Sequence, residues 1–182
     1  MEEMEVPTEH LTETINEKAE GKKEEERERW TMYVALSTAF IAVLAAVSSL
    51  LAGHHSDEAV IDRVKAGDQW SFYQAKSIKS ELVASTDKIL HTLSTKPVDD
   101  NAATLARYDK EKEEIKSKAE EFEKSSEEHV EKHGTIAKSV TIFQIAIAIS
   151  AIAILTKKRV LWYAGILLSL AGIVFFLMGT LM

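Results

Sequence analysis

Cysteine is absent from the 182 residues, so the chain has no disulfide, no thiolate metal site and no cysteine nucleophile. Proline occurs only twice, at Pro7 and Pro97, and glycine seven times. So few breakers leave long helices and few turns. No dinucleotide fingerprint, phosphate-binding glycine loop, hydrolase elbow or internal repeat occurs. A basic excess is missing too. Lys and Arg total 22 against 29 Asp and Glu, a net charge of −7. That argues against nucleic acid, whose binding needs clustered cations to release counterions.

The average composition looks like that of a soluble protein, with 46% hydrophobic and 28% charged residues. The average misleads because the charge is segregated. Every charged residue except Lys138 and the knot Lys157-Lys158-Arg159 lies in 1–29 or 54–135. Three runs without charge remain, at 31–52, 139–155 and 160–182. A bilayer's hydrocarbon layer is about 30 Å thick and takes roughly 20 apolar residues at about 1.5 Å each. The expected spans are 30–53, 136–155 and 160–182, and the basic loop 156–159 makes the last two antiparallel neighbours. Trp30 and Tyr33 suit the headgroup level. A cleaved signal peptide fits poorly, because the preceding segment is long and acidic and the apolar run exceeds an ordinary signal core.

Segment 1–29 is acidic and reads as partly helical. Leu11, Ile15 and Ala19 recur every four residues, with Thr8 after Pro7 as a candidate cap. Segment 54–135 is highly charged yet keeps a helical period. It reads as two helices joined by a turn near 95–101, where Pro97 sits among cap and turn residues. The second helix carries the series Leu105, Tyr108, Lys112, Ile115, Ala119, Phe122, Ser126, His129, His133, Ile136 and Val140. The first carries Ile61, Val64, Asp68, Ser71, Ala75, Ile78, Leu82, Ser85, Ile89 and roughly Leu93. Both alternate steps of three and four, as a coiled-coil seam does. Laid antiparallel with paired numbers adding to about 197, they set Leu82 on Ile115, Ile89 on Tyr108, Ala75 on Phe122 and Ile78 on Ala119, large against small. Trp70, Phe72 and Tyr73 are left over for neighbouring copies. The expected fold is therefore all-α: a three-span integral membrane protein with a long antiparallel helical hairpin, a coiled-coil-like stalk, inserted between spans 1 and 2.

The spans carry a second regularity. Ala35, Ala39, Ala42, Ala46 and Ser49 form one small-residue stripe. Ala146, Ser150 and Ala153 form another, and Gly165, Ser169, Gly172 and Gly179 a third. Lipid supplies no hydrophobic force between helices, so their packing depends on small residues that let backbones approach. Gln144 is the one strongly polar residue deep in a span, and bonding to a neighbouring helix is its expected role.

The stretch 68–79 is dense in polar and aromatic side chains, but nothing in it assembles base, nucleophile and oxyanion site. A structural role suits it better, with Lys76 near Glu121 and the aromatics between hairpins. His129 and His133 are four apart on a helix, the spacing that can bite one metal ion, and the register places Asp68 opposite. Such pairs on charged helices are ordinarily solvated or set in a polar seam, so no metal and no cofactor is expected. A pH-sensitive contact is the better use of these residues, since His titrates near neutrality. His54 and His55, where the first span ends, read as interfacial.

The 68–79 stretch, the run Val6-Pro7-Thr8-Glu9-His10-Leu11 and the order of one early and two late spans carry a likeness. Together they resemble the bacterial membrane family catalogued as domain of unknown function 4337. The resemblance implies a multi-span membrane protein with a helical insert, and it brings no catalytic or ligand residue.

The function expected is a non-enzymatic membrane scaffold, a homo-oligomer whose stalk offers an assembly surface. The alternatives are a channel or transporter subunit and a pH- or metal-responsive sensor. The expected partners are the lipid bilayer and further copies of the chain. The expected site is a bacterial inner membrane, with the N-terminus and Lys157–Arg159 on the cytoplasmic side by their positive charge and the hairpin facing outward.

Overall fold

The computed structural model describes residues 8–93 and 99–182, with side chains described for 14–93 and 101–182. The expected turn at Pro97, the run from Val6 and the capping side chain of Thr8 fall outside these described side chains or residues. Three helices make up the described chain: α1 (Thr8–Leu93), α2 (Asp99–Thr156) and α3 (Arg159–Leu181). Among the described residues there is no strand. With no proline inside them, α1 and α2 run unbroken, and α2 passes through Gly134 at the modest cost of a helical glycine.

All three helices are long and apolar enough to cross a membrane. Only 22%, 28% and 17% of their most apolar windows is buried within the chain. Most of that apolar surface therefore needs a non-aqueous surrounding, as in a multi-pass membrane protein. The described residues form two units, one from 8–48 with 138–177 and one from 49–137 with 178–182.

The first unit has its core at Ile41, Ala45, Phe143 and Ala146, with Leu44, Ile147, Leu168 and Ile173 packed around it. Small residues set the spacing of α2 and α3. A Cβ on Gly165 would lie 2.8 Å from the Ser150 hydroxyl and 3.2 Å from the Ala146 carbonyl. One on Gly172 would lie 2.7 Å from the Phe143 ring. The stripes on α2 and α3 are thus turned on each other, with Ala146, Ser150, Ala153, Gly165, Ser169 and Gly172 all buried. The α1 stripe is not used this way. Ala35, Ala39, Ala42 and Ala46 are exposed, and α1 buries Val34, Ile41, Ala45 and Ser48 instead. Gln144 is likewise exposed on α2. A hydrogen bond from the Trp162 indole to the Ser37 hydroxyl, 3.1 Å, ties α3 to α1.

α2 ends at Thr156, and Lys157 takes φ 56°, the left-handed conformation usually given to glycine or asparagine at a helix end. Its N–H reaches the Ile154 carbonyl at 3.4 Å, and α3 begins two residues later.

In the second unit, segments of α1 and α2 pack side by side with opposite chain directions. Lys76 meets Glu111, Asp62 meets Ser125, and Ser126 meets Ala59. These numbers sum to 187, 187 and 185, not to the 197 of the expected register. The difference lies on α1. The α2 series from Leu105 to Val140 is turned inward throughout, with Ala119, Ser126 and Ile136 fully covered. On α1 the covered positions are Ala52, His55, Ala59, Asp62, Ala66, Tyr73 and Ser80, two residues out of phase with the expected series. Two residues are about 200° around a helix of 3.6 residues per turn, which is the opposite face. The reason is size. Ala52 and Ala59 of α1 are buried against His133 and Ser126 of α2, whose side chains reach the alanine carbonyls, and residues this small let the two backbones close. Gly179, near the end of α3, comes equally close to Ile136, where a Cβ would lie 2.5 Å from its side chain.

Candidate functional site

The second unit holds two features with functional content: a polar seam between α1 and α2, and an apolar face that α1 leaves open.

The polar seam starts at four histidines. The Nδ1 atoms of His55 and His129 are 3.0 Å apart and their ring centroids 5.2 Å apart. One ring must donate and the other accept, so the contact requires at least one neutral imidazole. Burial is the main cause that pushes the His55 pKa below its ordinary value, and the neighbouring charge of His129 adds to it. His133 Nδ1 lies 2.8 Å from the Ala52 carbonyl and is positioned to donate to it. His54 stacks loosely beside His55, with centroids 5.7 Å apart.

Two turns further along α1, the Asp62 carboxylate accepts from the Ser125 hydroxyl at 2.6 Å and from Lys65 at 3.0 Å. Those bonds, Ser125 first, hold its pKa below the usual carboxylate range. The Ser126 hydroxyl donates to the Ala59 carbonyl at 2.8 Å. Beyond them the Trp70 indole donates to Glu123 at 3.1 Å, and its ring meets Tyr73 edge-on. Lys76 pairs with Glu111 and lies 5.0 Å from the Tyr108 ring centroid. That lysine holds the Glu111 carboxyl below its ordinary pKa. Asn101 donates to Asp87 at 3.1 Å near the far end.

The expected partners are redistributed by this register. Lys76 bonds Glu111 rather than Glu121, and Asp68 is exposed rather than opposite His129. His129 faces His55 instead. Among the described residues no group of three or more His, Asp or Glu is placed to hold a metal ion. Trp70, Tyr73, Ile115, Ala119 and Phe122 lie in or beside the seam, while Phe72, Ala75, Ile78 and Leu82 face away from it.

The open face is the series first expected to be the seam. Its members Ile61, Val64, Ile78, Leu82 and Ile89 are all exposed, with Ile78 at 62% and Leu82 at 63%, and Phe72 is exposed beside Ser71. Asp68, Ser71, Ala75 and Ser85, also exposed, complete the series in steps of three and four over some eight helical turns. Beside Ala59 and Ser126 a shallow groove of about 380 Å³ adds Val60 and Val130, rimmed by Arg63 and Glu131.

The pattern named Domain of unknown function (DUF4337) matches residues 30–182. The chain belongs to the DUF4337 family. No curated protein and no solved structure matches it. The DUF4337 match takes in all three apolar runs, the histidine cluster and both faces of α1, and it leaves out the Val6–Leu11 run.

Sequence reading missed His55, Asp62 and Ser125 as seam residues. The signal was present as alanine at every seventh position, Ala45, Ala52, Ala59 and Ala66, but small residues weigh little in a search for large apolar ones.

Proposed function

We propose that the protein is a non-enzymatic membrane scaffold, a homo-oligomer assembled partly through the open apolar face of α1. The observation that carries this reading is the exposure of Ile61, Val64, Ile78, Leu82 and Ile89, the apolar members of one heptad series, with Phe72 exposed beside them. An apolar stripe of that length and spacing suits a second helix with the same spacing. Copies inserted in one membrane share one orientation, so the same face of a neighbour is parallel to it and in register. The exposed Ala35, Ala39, Ala42 and Ala46 offer the spans a similar close contact. On this reading 54–135 is an antiparallel hairpin outside the bilayer of a bacterial inner membrane, with the N-terminus and the Lys157–Arg159 knot cytoplasmic.

The test is the oligomeric state in lipid discs. Ile78→Glu with Leu82→Glu should dissociate the oligomer while leaving helix content and insertion unchanged. An oligomer unaffected by both charges would remove the reading.

A second reading, a channel or transporter subunit, is favoured by the exposure of Gln144 on α2. A ring of copies could turn it toward a shared path. Ion currents in planar bilayers that vanish with Gln144→Leu would replace the scaffold by the channel.

A further inference from the structure

We infer that one end of the first unit binds an anionic phospholipid, with its phosphate among the cations of the α2–α3 link and its acyl chain along α1. Three concavities adjoin there and share residues. The first is a largely apolar groove of about 630 Å³ along α1, lined by Leu36, Ala39, Phe40 and Val43 with Tyr33 and Trp162, and the Ser37 hydroxyl in its wall is taken by the Trp162 indole. Tyr33 and Trp162 also line the second, of about 500 Å³, where Arg29 and Arg159 enter. The third, of about 240 Å³, holds Lys23, Arg27, Lys157 and Arg159 against the single carboxylate of Glu26. Apolar groove, aromatic collar and cationic pocket follow one another as chain, glycerol and phosphate do in a lipid.

Separate observations point to a ligand at the charged end. Trp30 lines both polar concavities, is 8% exposed, and its Nε1–H is buried without a hydrogen-bond partner among the described residues. A buried donor left unpaired is costly, and a phosphate or ester oxygen would satisfy it. None of the five cations takes part in an ion pair among the described residues. Lys157 holds a left-handed φ of 56°, where glycine would be at ease. Keeping lysine there makes sense if its charge is used. α3 also starts at Arg159 with no acidic residue in its first turn, so its free N–H groups add to the positive end.

A free phosphate would need only the third concavity. The continuous apolar groove selects a ligand with a chain, and the cations select an anionic headgroup over a zwitterionic one.

The test uses full-length protein with Trp70→Phe, which leaves Trp30 and Trp162 as the fluorophores. It is placed in phosphatidylcholine discs containing a small, equal fraction of either bromine-labelled phosphatidylglycerol or bromine-labelled phosphatidylcholine. Phosphatidylglycerol should quench at several-fold lower fraction. Lys157→Gly, which relaxes the backbone, and Arg159→Gln should each reduce that preference about fivefold, as expected for one cation at a lipid surface. Equal quenching by both lipids overturns the inference, as does a preference that survives both substitutions. Loss of quenching on adding glycerol phosphate would assign a soluble phosphate instead. Absence of quenching by either lipid in an intact oligomer would give the groove to a neighbouring copy.

Discussion

Gly172 of α3 lies so near Phe143 of α2 that an added Cβ would sit 2.7 Å from the ring. Phe143 is fully buried and cannot swing out without leaving a void. Gly172→Ala should therefore lower the thermal stability of the detergent-solubilised protein by about 1–3 kcal/mol, the usual cost of overpacking. Adding Phe143→Leu should recover part of the loss. Full stability of the single variant would mean that the two helices are not in this contact.

Acid should loosen the seam between α1 and α2, and the sign follows from two groups. His55 has a folded pKa below its ordinary 6.5. Its contribution is present above that value and is lost as pH falls from it through the lower folded pKa. Asp62 also has a depressed pKa, so its contribution lasts to lower pH and is lost only as pH falls through the folded value. Amide protection near Ala59 and Ser126, measured against the intrinsic exchange rate at each pH, should fall between about pH 7 and pH 5, within reach of histidine titration. His55→Leu should flatten that step, and Ser125→Ala should move the Asp62 step to higher pH. Protection independent of pH in the native chain would contradict the buried imidazole contact.

The register is open to direct chemistry because the native chain has no cysteine. Cysteines replacing Ala59 and Ser126, joined in the structure by the serine's bond to the Ala59 carbonyl, should cross-link within one chain. The pair Leu82 and Ile115, apposed in the 197 register, should not. The opposite result would restore the register first read from the apolar series.

For the topology proposed above, Asn101→Cys should react with an impermeant thiol reagent in intact cells. Protection there, with labelling after lysis, would place the hairpin on the cytoplasmic side.

The three apolar helices were legible because charge is absent from 31–52, 139–155 and 160–182 and nothing else in a chain reads that way. The inward face of α2 was legible for a similar reason, since Tyr108, Ile115, Phe122 and Ile136 lie on it alone. The inward face of α1 was not. α1 carries two heptad series, and the apolar one, Ile61 to Ile89, outweighs the small one, Ala45 to Ala66, on any hydrophobic scale. What decides between them is the volume of the partner, which belongs to no single segment. Asp62 shows the same limit. A lone aspartate reads as a solvated charge until Ser125 and Lys65 are seen beside it. Trp30 reads as an interfacial residue, and only its surroundings reveal a donor without an acceptor.

The two series on α1 lie about 200° apart, so a substitution in one leaves the other untouched. On the proposed assembly, folding and recognition of like by like are thereby written on separate faces of one helix. Two copies of the gene that drifted only at Ile61, Val64, Ile78, Leu82 and Ile89 would fold alike. They would nonetheless sort into assemblies that do not mix, and a single membrane could hold both without crosstalk.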